Sequence, residues 1–202
     1  MSAPRRNGLF RGRKGVVRAI LAGGVVLGVG AAITLAAWNS SDFATGDFQA
    51  GTFAIEGSTD GSAFANHSST SPAELSFDVS AANLSPGVTT YSGYAVRLAA
   101  NSSTGGTVTL LSAGTTGTTT GLTYTIIETD SITCDATTTG TELVPSTALG
   151  TVPASTTFTL SPGTPTTDAG APQFLCIAVT ADDGLSQGQS ATATWQFSAQ
   201  SD

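Results

Sequence analysis

The chain has 202 residues, of which 10% are charged and 40% are hydrophobic, with a formal net charge of −7. Arg97 is the single basic residue after Arg18, whereas all 14 acids follow residue 41. Nucleic-acid binding requires clustered Lys or Arg, so the acidic region excludes such a partner. A positive mean hydropathy and recurring short alternating runs favour a folded all-β chain over a disordered one.

The N-terminus has the layout of an export signal. Met1–Arg18 is basic and Ala19–Leu35 is apolar and uncharged, an order that is typical of a signal peptide with a helical core. Small residues predict cleavage between Ala36 and Ala37, which makes 1–36 the signal peptide. The alternative is an uncleaved membrane anchor, because the apolar run approaches the ~20 residues of a spanning helix. Its high glycine content favours cleavage.

The next part of the chain predicts short strands separated by polar turns. Phe43, Phe48 and Phe53 recur every five residues with glycines between them, which indicates two strands and a bend. Gly57–Ser71 is predicted to be a polar loop, and the alternation over Leu75–Ser80 predicts a half-buried strand.

Further strands follow a predicted turn at Ser85-Pro86-Gly87. The alternation predicts strands around Tyr94–Ala100, Thr107–Leu111 and Leu122–Ile126. Between the last two, Ala113–Gly121 is predicted to be a flexible tip.

The C-terminal part contains the clearest strand. Within Ser131–Asp168 we predict weak strands at Leu143–Val144 and Thr157–Leu160, and a turn at Val144-Pro145-Ser146-Thr147. Both faces of Phe174–Val179 are apolar, which predicts a central, covered strand. The last strand alternates strictly from Ala191 to Gln200. Seven to nine short strands indicate an antiparallel β-sandwich.

The two cysteines, Cys134 and Cys176, predict one disulfide in an exported chain. A metal site is the alternative. Two Cys with the sole histidine, His67, in a polar loop do not form a zinc ligand set. We therefore expect neither a cofactor nor a metal.

No catalytic residues are predicted. A metallopeptidase needs a motif such as H-E-x-x-H, and a serine triad would have to recruit His67. Asp182-Asp183-Gly184 is interpreted as a turn. The acids Glu128, Asp130 and Asp135 could bind Ca²⁺ weakly, but their spacing does not match an EF-hand, and a solvated acidic edge is favoured.

Four segments resemble the TasA/camelysin family of exported proteins. They are Thr34–Glu56 (TLAAWNSSDFATGDFQAGTFAIE), Asn83-Leu84-Ser85-Pro86-Gly87, Asn101-Ser102-Ser103 and Gln187-Gly188-Gln189-Ser190. The resemblance does not extend to the middle of the chain, from about Thr115 to Pro172. It implies a jelly-roll sandwich, cleavage by a SipW-type signal peptidase, and head-to-tail fibres in the cell-surface or biofilm matrix. Some camelysin-like relatives have been labelled metallopeptidases, but this chain lacks the motif that such chemistry needs.

The resemblance also implies that the freed N-terminal segment completes the sheet of the next subunit, a form of β-augmentation. The donor segment would be 37–57, with Trp38, Phe43 and Phe48 as anchors, and 58–202 would form the sandwich. The partners are then other copies of the chain, the peptidase and an accessory anchoring protein. The membrane is involved only through the uncleaved precursor. The alternatives are an ordinary first strand in a monomer, a monomeric adhesin or carbohydrate-binding module with an exposed aromatic platform, and a secreted hydrolase with a polar pocket around His67.

Overall fold

A computed structural model describes residues 45, 50–77, 84–154 and 156–202, all but the first within the compact unit Gln49–Asp202. This part of the chain is all-β, as the sequence predicts. Its eight strands are β1 (Ile55–Ser58), β2 (Thr89–Leu98), β3 (Gly106–Gly117), β4 (Leu122–Thr129), β5 (Thr141–Ala148), β6 (Thr157–Leu160), β7 (Gln173–Ala181) and β8 (Ala191–Ser201).

The strands form two antiparallel sheets. The larger sheet has the order β1-β2-β7-β4-β5 and the smaller has the order β6-β3-β8. Three of the neighbouring pairs are nested in sequence: β4 with β5, β3 with β6, and β2 with β7. Nested pairing of this kind is what a long hairpin forms when it folds over into two layers, as in a jelly roll. Strand β7 is central in its sheet, which confirms the prediction from its two apolar faces.

The core lies between the two layers. Leu98, Val108, Ile126, Val144 and Leu175 are each 0% exposed. They come from five strands. In β4 the inward positions alternate with half-buried ones, as the period of a strand requires, whereas β7 has three consecutive buried residues because both of its faces are covered. Among the described residues every buried side-chain nitrogen and oxygen has a hydrogen-bond partner, so the buried hydroxyls of Ser58 and Thr90 do not weaken the core.

The backbone confirms the predicted turn at Ser85-Pro86-Gly87 and shows a second turn at Asn101. Gly87 has a φ of 83° after Pro86, and Val88 N–H donates to the Ser85 carbonyl oxygen at 3.0 Å. Asn101, the third residue after the end of β2, has a φ of 67°. Asparagine tolerates this left-handed conformation better than most residues do.

Several strand boundaries differ from the predictions. Residues 72–77 contain no strand, although Leu75 and Phe77 pack against the core; the rest of that predicted strand lies outside the described residues. Strand β3 continues to Gly117, so 113–117 is not a flexible tip. Strand β5 runs through Pro145, where a turn was predicted. Proline is tolerated there because β5 is an edge strand.

The predicted signal peptide, 1–36, lies outside the described residues, as does its cleavage position at Ala36 and Ala37. Within 50–77, 84–154 and 156–202, no helix is long and apolar enough to cross a membrane.

Candidate functional site

The inward face of β8 is a row of apolar side chains that the core covers only in part. Its members alternate along the strand and are half-buried: Ala191, Ala193, Trp195, Phe197 and Ala199. The outward residues between them are polar. The alternation predicted for this strand is therefore confirmed, but the inward side chains are less buried than their counterparts on the central strands.

Aromatic contacts fix this row against the core. The Phe197 ring stacks on Tyr94 with a centroid distance of 5.5 Å and meets Phe158 edge-on at 6.3 Å. The Trp195 ring tilts against Tyr124 at 5.6 Å. Such pairs hold the rings in one orientation.

The four sheet edges differ in how well they are protected against pairing with another chain. Strands β1 and β6 have only four residues each. Strand β5 contains Pro145, and its pairing with β4 has register shifts. Short length, proline and irregular register all discourage strand addition.

The edge of β8 has neither of the first two protections, and the register shift in its pairing lies on β3, between Ser112 and Thr115. The strand has 11 residues with no proline and no charged side chain. It pairs with β3 from Ala191 to Ser201, and β3 is its sole neighbour among the strands of the described residues. A long, uncharged edge of this kind is a template for a further strand. We define residues 191–201 as the β8 edge.

The N-terminal part of the chain enters the sandwich beside the end of β8. Thr52 makes a parallel bridge to Ser102. A Cβ atom at Gly106 would lie 2.6 Å from the Phe53 ring and 2.8 Å from the Gln200 carbonyl oxygen. Phe53, the start of β3 and the end of β8 therefore meet at one point, and only glycine fits there.

The predicted donor anchors Trp38, Phe43 and Phe48 lie outside the described residues. The predicted disulfide is confirmed: Cys134 and Cys176 are bonded, with their Cα atoms 5.1 Å apart. The bond holds the connection between β4 and β5 against the outer face of β7. It indicates an oxidising compartment.

The same connection packs closely on β2. A Cβ at Gly93, the residue paired with Cys176, would lie 2.0 Å from the carbonyl oxygen of Ile132. The side chain of Ile132 also lies against Gly61, which has a φ of 73°. Nearby, the Arg97 guanidinium is bonded to Glu56 at 3.0 Å and lies 3.9 Å from the centre of the Phe64 ring. These contacts lie on the outer face of the larger sheet, over β2 and β7.

The carboxylates of Asp135 and Asp182 accept hydrogen bonds that stabilise turns. The Asp135 carboxylate accepts hydrogen bonds from the hydroxyl and the N–H of Thr137, which lower its pKa. Asp182 accepts from Gly184 N–H at 2.7 Å in the predicted turn. Burial raises the pKa of Glu128. In the part of the chain that the structure describes, no three His, Cys, Asp or Glu residues are grouped to hold a metal ion.

His67 is exposed in its loop. The cleft beside β8, lined by Tyr124, Trp195 and the glycines 114 and 150, measures about 10 Å³ and contains no histidine, Asp or Glu. That volume is roughly enough for one water molecule.

The alternating pattern of Ala191–Gln200 predicts a strand but does not predict that this strand lies at an open edge. No signal in the sequence indicates the edge: Ala191–Ser201 is long and lacks charge and proline, which is typical of an interior strand, because edge strands usually carry one of them. No protein-family model matches this chain, and the searches of curated proteins and of solved structures found no match either.

Proposed function

We propose that this protein is a secreted structural subunit that assembles into extracellular fibres of the cell surface or biofilm matrix by donor-strand exchange. The observation that carries the proposal is the pairing order. Strands β4 and β5, β3 and β6, and β2 and β7 are nested pairs. The next pair in that series would join β8 to a strand that precedes β2. Strand β1 does precede β2, but it pairs with β2 itself.

The partner for the β8 edge in this proposal is the N-terminal segment of another copy, 37–57, of which 37–48 would pair with β8, because Ile55–Gly57 pair with β2 of their own chain. Its backbone would form hydrogen bonds along β8, each contributing about 1 kcal/mol net. Its anchors Trp38, Phe43 and Phe48 would cover the half-buried row of β8, which supplies the register. One copy donates and the next accepts, so the contact is head-to-tail and gives an open filament.

Cleavage after Ala36 would control this assembly, because an uncleaved signal tethers the donor segment to the membrane. The proposed partners are therefore a signal peptidase of the SipW type, which cleaves the precursor, and an accessory protein that anchors the fibre. Two features of the chain support export: the basic and apolar N-terminus and the disulfide.

The decisive experiment is electron microscopy of the chain that begins at Ala37, followed over time at high concentration. We expect filaments one sandwich wide. Deletion of residues 37–48 should leave folded protein without filaments, because the acceptor edge remains and the donor is gone. Adding a synthetic 37–57 peptide in excess should shorten the wild-type filaments, since it occupies the β8 edge.

A peptide of the same composition in scrambled order is the matched control, and it should leave filament length unchanged. Circular dichroism establishes that the deletion variant is folded. Filaments of normal length from the deletion variant would refute the donor role. A wild-type chain that remains a single particle at every concentration would refute the proposed assembly.

A further inference from the structure

The outer face of the smaller sheet is uncharged, unlike the rest of the domain. None of the residues in β3, β6 or β8 is Asp, Glu, Lys or Arg. The larger sheet contains Glu56, Arg97, Glu128 and Glu142, and most of the other described acids lie in the connections. From residue 37 onward the chain has one basic residue against 14 acids.

The side chains on this face carry hydroxyl and amide groups in regular rows. The pairing register brings Thr109 beside Thr157 on one side and Ser198 on the other, and Thr107 beside Thr159 and Gln200. Leu111, paired with Gln196 on the same face, is the large hydrophobic residue that is most clearly exposed, at 42%. We define the outward residues of these three strands as the neutral face.

We propose that the neutral face is a lateral contact surface between copies of this chain, through which fibres pair side by side. This inference rests on the proposed function, because a filament repeats the face once per subunit and so multiplies a weak contact. Two strongly acidic copies repel one another wherever their acids meet. Contact through the neutral faces places no carboxylates opposite one another, and the rows of Thr, Ser and Gln can hydrogen-bond across it.

Carboxylates that border the neutral face, such as Asp202 directly after β8, would lie at the rim of the contact, so ionic strength should control the pairing. The Debye length is about 8 Å at 0.15 M salt and about 3 Å at 1 M. Added salt therefore screens the repulsion between rim acids and leaves the uncharged contact unchanged. We expect the paired fraction of filaments to rise with salt. An interface built on salt bridges would show the opposite trend.

The test introduces charge on the neutral face at two exposed positions, Thr159→Glu and Ser198→Glu. The matched control places the same charge on two exposed positions of the larger sheet, Thr141→Glu and Ser146→Glu. Each full chain is expressed with its leader in an exporting host, and the released protein is imaged by electron microscopy between 0.05 and 1 M salt. We expect the neutral-face variant to form single filaments, with the paired fraction lowered roughly tenfold or more, and the control to pair like the wild type.

Each possible result supports or overturns either the lateral contact or the proposed function. Single wild-type filaments at every salt concentration overturn the lateral contact and leave the proposed function standing, as does equal pairing of the neutral-face variant and the control. If the wild type forms no filaments, the proposed function fails. Sedimentation velocity of the wild type then tests the lateral contact. Dimers that the Thr159/Ser198 substitutions abolish would support the contact, and monomers would overturn it. Wild-type filaments that stay single but co-sediment with a neutral polysaccharide would assign the face to a glycan.

Discussion

Replacing both cysteines with alanine should reduce the stability of the sandwich without changing its fold. The bond between Cys134 and Cys176 spans 42 positions in sequence. Closing a loop of that length removes entropy from the unfolded chain that corresponds to about 4 kcal/mol at 25 °C. This is an upper value, and it is a large fraction of the free energy of unfolding of a typical domain, about 5–15 kcal/mol.

The assay is urea unfolding of wild type, the double variant, and wild type unfolded under reducing conditions. With a slope of about 2 kcal/mol per molar urea, the midpoint should fall by ~2 M. The reduced wild type should match the double variant, since both lose the same constraint. The slope should stay the same, because the buried surface of the core is unchanged.

A second substitution tests whether the connection is held in place by packing as well as by the bond. Gly93→Ala would place a methyl group 2.0 Å from the Ile132 carbonyl oxygen, which forces the connection away from β2. In the intact disulfide background it should lower the midpoint and expose the connection to protease.

For the disulfide itself, a double cysteine variant whose free energy of unfolding falls by less than about 1 kcal/mol would refute the loop-closure reasoning.

Three further predictions concern charged side chains. Arg97→Met should cost about 1 kcal/mol in urea unfolding, because it removes the half-buried pair with Glu56 and the contact with Phe64; an unchanged midpoint would contradict this. Hydrogen bonds from Ala63 and Ser62 hold the pKa of Asp60 below its usual 3.8, so Asp60 stabilises the fold fully above that pH and progressively less below it. Asp60→Asn should flatten the stability profile in that acid range. Burial raises the pKa of Glu128 above 4.5, so Glu128→Gln should be more stable at pH 7 in thermal unfolding, with a gain that disappears below pH 4.5.

The sequence predicted those features that depend on local pattern. The strict alternation of Ala191–Gln200 and the doubly apolar run Phe174–Val179 correspond to β8 and β7. The disulfide could be predicted because an even cysteine count in an exported chain leaves one pairing. The turn at Pro86-Gly87 also followed from local chemistry, since proline and glycine favour its backbone angles.

Features that depend on tertiary context were less predictable. Strand β1 has the sequence Ile-Glu-Gly-Ser, which does not alternate cleanly, and it forms because Leu98 and Arg97 offer it a paired edge. Leu75 and Phe77 alternate like a strand, yet residues 72–77 pair with none of the described strands. Pro145 was predicted to lie in a turn because sequence alone does not reveal which strand lies at an edge. The β8 edge was missed for the same reason.

The nested order of the strands sets a sequence of events during folding. The pair β4 and β5 is nearest in sequence and closes the smallest loop, and each later pair closes around it, out to Thr89 with Thr180. Because the entropic cost of closing a loop rises with its length, we expect the strands to pair in order from β4 and β5 outward. Under the proposed function the outermost step needs a second molecule, so the end of folding and the start of polymerisation are one concentration-dependent reaction.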